Sequence, residues 1–403
     1  MGSPLHFIPP ILALSILGFV YYSRRRSNER RGLNVPKLEI ITKSIYHSNV
    51  EKGIEDPNFI PDPKPILDFD LKTARTRDYV HVNKTLRYPY YQTMAHQPLE
   101  IENWIEISSD YEWYLSEKKR VIQEQGTVVL DSLPENDFAC QELLETVVDW
   151  LPKRYPSLFN RLLRNDTSGN PLSDGIFSKT TGETYVWDIG AAPEGKVALQ
   201  ILSRLTECDF LMAREREDGH VYFVGGLVAF PGFYLLSEKI GKPMQEVHAP
   251  VPQFNQKLLI SVERTLKRMH PSAPFERSSW ELVDDYELFQ HNISKLPEGG
   301  KVDVKPEDLL LRIDRQTFRK LPKSRGIIFG VHPLLCTLGS LTKSPSSLHS
   351  CTRFIPIVAP AYWDALGPWL EEKTHEQIRS GLIGDGDLER VQDFRKFESD
   401  DSR

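Results

Sequence analysis

Apolar residues recur along this chain with two different spacings, and the spacings predict a mixture of helices and strands. Between Glu135 and Leu163, the residues Phe138, Leu143, Leu144, Val147, Val148 and Leu151 follow the ~3.6-residue repeat of a helix. Pro134, Asn136 and Asp137 supply a turn and candidate caps ahead of it. The period then changes. ETYVWDI (183–189), DFLMAR (209–214) and HVYFVGGLVAF (220–230) read as strands, and Asp218-Gly219 is a hairpin-turn signal between the last two, so an antiparallel sheet is predicted. The pattern from Phe233 to Ile240 predicts a short helix closed by Gly241. Asn255 to His270 predicts a longer helix with Leu258, Leu259, Val262, Leu266 and Met269 on one face. Trp280–Val283 and Gly326–Val331 add two strand candidates. This order is α+β, without the regular alternation of a doubly wound sheet.

The N-terminus has a different character. LHFIPPILALSILGFVYY, residues 5–22, contains no charged residue, and as a helix rising ~1.5 Å per residue it would cover roughly 27 Å, enough for one transmembrane span. Arg24, Arg25, Arg26, Arg30 and Arg31 follow it, and the positive-inside rule then places the C-terminal body in the cytosol. Three glycosylation sequons, at Asn83, Asn165 and Asn292, are the cue for a lumenal body. The Pro- and Asp-rich stretch that follows reads as a linker becoming a domain edge. The expected organisation is therefore an anchor with its basic flank over 1–34, a linker and domain edge over 35–90, and one domain over 91–403.

Composition narrows the functional classes. The 403 residues are 40% hydrophobic and 26% charged, ordinary values for a chain that buries a sizeable core. A formal charge of −6 with interspersed signs offers no basic stripe for nucleic acid. Four cysteines without CxxC spacing argue against zinc fingers, disulfide frameworks and iron–sulfur clusters. GxSxG, GxxxxGK[ST], GxGxxG after a strand and HExxH are all absent, so common hydrolase, kinase and dinucleotide readings fall away. Any redox chemistry would draw its electrons from another protein.

Among single residues, His248 stands out because Ala249-Pro250-Val251-Pro252 follows it, and prolines of fixed φ hold a neighbouring imidazole in one place. Both a hydrogen-bonded structural histidine and a metal ligand fit that pattern. His332, in GIIFGVHPLL, and His270, before Pro271, are weaker candidates, and His220 reads as solvated. Asp209 opens an apolar strand, either as a strand-end carboxylate or as an acid that orients a cationic substrate. LRIDRQTFRKLP reads as a helix carrying Arg312, Arg315, Gln316 and Arg319, as a solvated face or as partners for acidic groups.

Several segments together resemble the haem-binding α subunit of haem-dependent oxidative N-demethylase and its fungal relatives. They are PLEIENWIEISSDYEWYLSEKKRVI, LPKRYPSLF, LTECDFLMAR, LVAFPGFYLLSEKIGKPMQEVHAPVP, FERSSWEL and LRIDRQTFRKLPKSRGIIFGV, spanning residues 95–340 in order. The resemblance implies a PAS-like antiparallel sheet with flanking helices, a haem b cofactor, and oxidative removal of a methyl group from a small amine. It also implies dioxygen as oxidant and electrons from a separate flavin or iron–sulfur reductase. His248 becomes the implied iron ligand, Arg277, Trp280, Arg315 and Gln316 the implied cofactor-binding positions, and Asp209 the implied catalytic acid. The chain departs from the family pattern at three places. Glu207-Cys208-Asp209 stands for a usual QED, Arg277-Ser278-Ser279-Trp280 for Arg-x-Asn-Trp, and Asp314-Arg315-Gln316 for Glu-Arg-Gln or His-Arg-Gln. A haem or gas sensor and a haem-free membrane-tethered scaffold are the alternatives to an enzyme.

Overall fold

The computed structural model describes residues 60–77, 96–232, 234–251, 253–290, 305–306, 309–341 and 360–382. The apolar N-terminal run with its arginines, the sequons at Asn83 and Asn292, and the charged C-terminal tail lie outside the described residues. Among those described, no helix is long and apolar enough to cross a membrane. Asn165 is exposed.

Two antiparallel sheets are flanked by helices, in agreement with the α+β expectation. The larger sheet joins β1 (Gln97–Pro98), β2 (Leu130–Ser132), β7 (Asp209–Glu215), β8 (Val221–Leu227), β9 (Phe275–Val283), β10 (Leu310–Lys320) and β11 (Ile327–Thr337) in the order β1-β9-β10-β11-β7-β8-β2. The smaller sheet is built on β5 (Pro171–Ser178), which pairs with β3 (Phe159–Arg161), β4 (Arg164–Asn165) and β6 (Thr184–Asp188). The Asp218-Gly219 signal is realised as the turn between β7 and β8, where Gly219 takes a φ of 79° that favours glycine.

Helices α1 (Tyr111–Gln125), α2 (Asp137–Arg154) and α3 (Gly195–Ser203) share the larger of two apolar cores with one face of the main sheet. The helical pattern after Pro134 appears as α2, which buries Leu143, Leu144, Val147, Val148 and Leu151. Lys153 and Arg154 lie in its last turn, where the helix dipole favours positive charge. The opposite sheet face meets the segment from α4 (Leu236–Lys239) through α5 (Met244–Val247) and α6 (Phe254–Lys257) to α7 (Leu259–Arg268). Two expected helices are therefore shorter than their patterns: the first is one turn, and the second breaks at Leu258. Farther along, α8 (Leu338–Leu341) follows β11 directly and α9 (Pro360–Arg379) closes the described chain.

The largest correction is LRIDRQTFRK, which is strand β10 in the middle of the sheet rather than a helix. Its arginines are not a solvated face: Arg312, Arg315 and Arg319 are all buried. The period of two is visible in hindsight, since Arg312, Asp314, Gln316 and Phe318 share one face and Ile313, Arg315 and Thr317 the other. Residues 60–77 also belong to the body. Ile66, Phe69 and Leu71 pack on the core, and Arg77 pairs with Glu106 and Glu276.

Buried charge is the unusual feature of this core. Lys118 Nζ lies 3.3 Å from Asp209 Oδ1 with both side chains out of solvent, and it also donates to the carbonyls of Thr206 and Cys208. Burial drives the Asp209 carboxyl above its ordinary range and the Lys118 ammonium below its own. Asp209→Ala, which strands Lys118 and the Phe230 amide that Asp209 accepts from at 2.6 Å, is expected to cost about 3–5 kcal/mol in urea unfolding. A loss below about 1 kcal/mol would contradict this account of the pair.

Candidate functional site

The sheet face under α4–α7 carries an aromatic ladder beside a polar corner. Phe275, Phe318 and Phe329 face one another across β9, β10 and β11, with ring centroids 4.6 and 4.7 Å apart and nearly parallel planes. Phe318 and Phe329 are only half-buried, and they belong with Leu211, Val331 and Phe275 to the second apolar core. Continuing along β9 and β10 on the same face, the side chains turn polar: Arg277 opposite Gln316, then Ser279 opposite Asp314, then Glu281 opposite Arg312. The Gln316 amide donates to Ser279 Oγ at 2.9 Å.

His248 caps α5 above this face. Its ring stacks on Phe254 at 4.3 Å with 13° between planes, and Phe223 of β8 lies 6.3 Å away. The turn that brings Phe254 back passes through Gln253, whose φ of 59° is left-handed, a strain of order 1 kcal/mol that favours a functional reading of this turn. Nδ1 sits 3.1 Å from the carbonyl of Met244. A carbonyl only accepts, so Nδ1 carries the proton and Nε2 keeps its lone pair, without a hydrogen-bond partner among the described residues. Burial holds the imidazole down to about 4, against 6.5 for a free ring, and the charges of Lys239 and Arg277 add to the effect. Neutral, oriented and basic at Nε2, this ring has the form a metal ligand needs. Arg277 is close enough to act on both His248 and His96 through its charge.

At the polar corner the Phe230-Pro231-Gly232 turn is seated on Arg312. The guanidinium donates to Phe230 O at 2.8 Å, Pro231 O at 3.2 Å, Leu288 O at 3.1 Å and Asp314 Oδ1 at 2.9 Å. Glu281 Oε1 approaches Nε only to 3.5 Å and is buried without a hydrogen bond. Burial first, and the Asp314 charge second, push the Glu281 carboxyl up to about 8. Gly232 packs against both acids: a Cβ there would lie 3.1 Å from Asp314 Oδ2 and 3.4 Å from Glu281 Oε1. Tyr234 completes the corner, its phenol raised by burial and by the Asp314 charge.

Two other residues expected in the site lie elsewhere. Strand alternation puts Trp280 and Arg315 on the opposite face from Arg277 and Gln316. Arg315 spends its donors on Glu276 and on the carbonyls of Trp104 and Asn103, a structural commitment deep in the larger core. Asp209 shares the face of Gln316 through Val331 and acts by charge on Arg312 and Tyr234, but it is 1% exposed, and its carboxylate orders the chain at Phe230 and pairs with Lys118. His332 is also buried. Its Nε2 comes within 3.0 Å of Glu207 Oε2, yet the approach lacks hydrogen-bond alignment. His220 leans on Glu263 at 3.3 Å, at the partly exposed end of β8.

Residues 95–362 match the family model described as haem-dependent oxidative N-demethylase, alpha subunit-like, over well more than half of the chain. The chain belongs to this family. The demethylase family's description carries haem dependence and oxidative demethylation, and its span covers the sheet, the His248 turn and the polar corner. Among the described residues no group of three or more His, Cys, Asp or Glu could hold a metal ion by itself. A haem iron, already ligated by its porphyrin, asks the protein for a single oriented imidazole.

Sequence reading missed Glu281, Tyr234 and the clamping role of Arg312. A strand reading of LRIDRQTF would have found the last, because it aligns Arg312, Asp314 and Gln316 on one face. The folded His248 ring binds fewer protons than the unfolded chain between about 4 and 6.5. Its contribution to stability is therefore complete above 6.5 and lost as pH falls through that window. His248→Phe is expected to flatten this part of the pH–Tm curve. An unchanged acid limb would show that His248 is not held neutral.

Proposed function

We propose that this chain is a haem-dependent oxidoreductase of the oxidative demethylase type, with His248 as the iron ligand through Nε2. The observation that carries the reading is the fixed tautomer: Met244 O holds the Nδ1 proton and leaves a buried, neutral imidazole with a lone pair beside an aromatic sheet face. A PAS-like arrangement, with one face of an antiparallel sheet covered by short helices, fits the α4–α7 segment over the Phe275–Phe318–Phe329 ladder. Flat aromatic rings suit a porphyrin plane, and the Arg277 guanidinium suits its acidic substituents.

Haem b bound there would supply dioxygen activation, with electrons from a separate flavin or iron–sulfur reductase. The protein's own part is concrete. Phe254, Phe318 and Phe329 exclude water, Met244 O orients the ligand ring, and the Gln316–Ser279 pair offers polar groups on the same face. The alpha-subunit description supports further subunits or donors as partners. Because Asp314 places a carboxylate on this surface, a small amine is the substrate class that suits it. We assign the N-terminal apolar run and its arginines to a single membrane anchor with the body in the cytosol, which would raise the effective concentration of a membrane-bound reductase.

The full chain, purified in detergent after expression with haem supply, is expected to show a Soret band that shifts with dithionite and carbon monoxide. His248→Ala should lose most of its haem and regain the band with added imidazole. A normal spectrum and full occupancy in His248→Ala would refute the ligand assignment. A Soret band without oxygen consumption, given candidate amines and a reductase, would favour the sensor reading.

A further inference from the structure

The corner formed by Arg312, Asp314 and Glu281 sets two carboxyls against one guanidinium. Arg312 is fully used: its Nη atoms hold the Phe230, Pro231 and Leu288 carbonyls, and its Nε serves Asp314 at 2.9 Å. That leaves Glu281, 3.5 Å from the same nitrogen, with Oε1 buried and unbonded. The other titratable group facing it is the Tyr234 phenol, which adds no positive charge. Gly232 brings backbone down onto both acid oxygens where a side chain would stand. Ionising both carboxyls would therefore leave two negative charges sharing one guanidinium, with no hydrogen bond at Oε1, an arrangement proteins relieve by protonation. The proton falls to Glu281, the acid that is farther from the guanidinium and has no hydrogen bond at Oε1.

We propose that Glu281 stores a proton at neutral pH and donates it to the redox site on this sheet face. Storage follows from the charge count alone, while donation rests on the haem reading given above. Oxidative removal of a methyl group from a tertiary or secondary amine with dioxygen takes up two electrons and two protons. It yields the shorter amine, formaldehyde and water. The electrons come from the flavin or iron–sulfur reductase, and at least one proton has to reach oxygen inside a site lined by phenylalanines. Glu281 supplies it: its O–H bond breaks, the proton passes to the oxygen that leaves as water, and the carboxylate remains beside Asp314. The side chain is 25% exposed, so solvent restores the proton. Repulsion from Asp314 makes the carboxylate short-lived and draws the proton back.

The test begins without haem. Infrared spectra of the full chain, expressed without haem supply, are recorded between about pH 6 and pH 10 for wild type, Glu281→Gln and Asp314→Asn. The wild type is expected to show the carbonyl stretch of a protonated carboxylic acid, lost with a midpoint near 8. The band is expected to be missing in Glu281→Gln, and in Asp314→Asn to titrate at lower pH because the repulsion is gone. No acid band titrating near 8 in the wild type, or one titrating there that survives in Glu281→Gln, overturns the stored proton. With haem and reductase supplied, Glu281→Gln is expected to keep haem occupancy and KM while kcat falls about 10²-fold. Its pH profile should also lose the alkaline limb near 8. An unchanged kcat and profile overturn the donor role. A protein that shows the acid band yet never binds haem overturns the haem reading instead, so the two failures are told apart.

Discussion

Arg312 is the interaction on which the rest of this surface depends. A guanidinium with no exposure to solvent has to be fully matched, and this one is matched by three backbone carbonyls and one carboxylate. Those partners come from the turn after β8, the segment after β9 and β10 itself, so a single side chain joins three parts of the sequence. The Phe230-Pro231-Gly232 turn takes its place because of Arg312 on one side and Asp209 on the other. That turn leads into the chain which covers the aromatic face and ends at His248. Charge and architecture are therefore linked: an unmatched acid remains at the corner because the guanidinium has been spent on holding backbone.

Two titratable groups of the face are tuned in opposite directions by the same cause. Burial penalises the charged form, which lowers the imidazole of His248 and raises the carboxyl of Glu281. Each is neutral near pH 7, one offering a lone pair and the other a proton. Meanwhile the other buried ions, Arg315–Glu276–Arg77 on the opposite face and Lys118–Asp209 at the end of β7, are paired and serve to lock elements together.

Much of the fold was legible because amphipathic periodicity reports burial directly. Helix α2, the β7–β8 hairpin and strands β9 and β11 all appear near their expected positions, since each buries one face or stripe. The reading failed at β10, where arginines occupy buried positions. A pattern of charges spaced by three or four residues looks helical when charge is taken to mean solvent, and only buried partners make the strand reading consistent. His248 was legible through its prolines and its family context, and Arg277 with Gln316 through the resemblance. Glu281 was not, because nothing in FERSSWELV distinguishes it from a surface glutamate until Arg312 and Gly232 close over it.

By itself, the sequence determined most of the element types, the family and the proline-flanked histidine, because these follow from local spacing and from residue identity in order. Tertiary structure decided which sides those residues share. It put Arg277 and Gln316 on the face that carries the His248 turn while sending Arg315 into the opposite core and Trp280 to that opposite face, and it buried Asp209 against Lys118. The physical reason is that sheet register and charge compensation are set by partners far away in the chain, and one residue's step along a strand exchanges an open surface for a sealed interior.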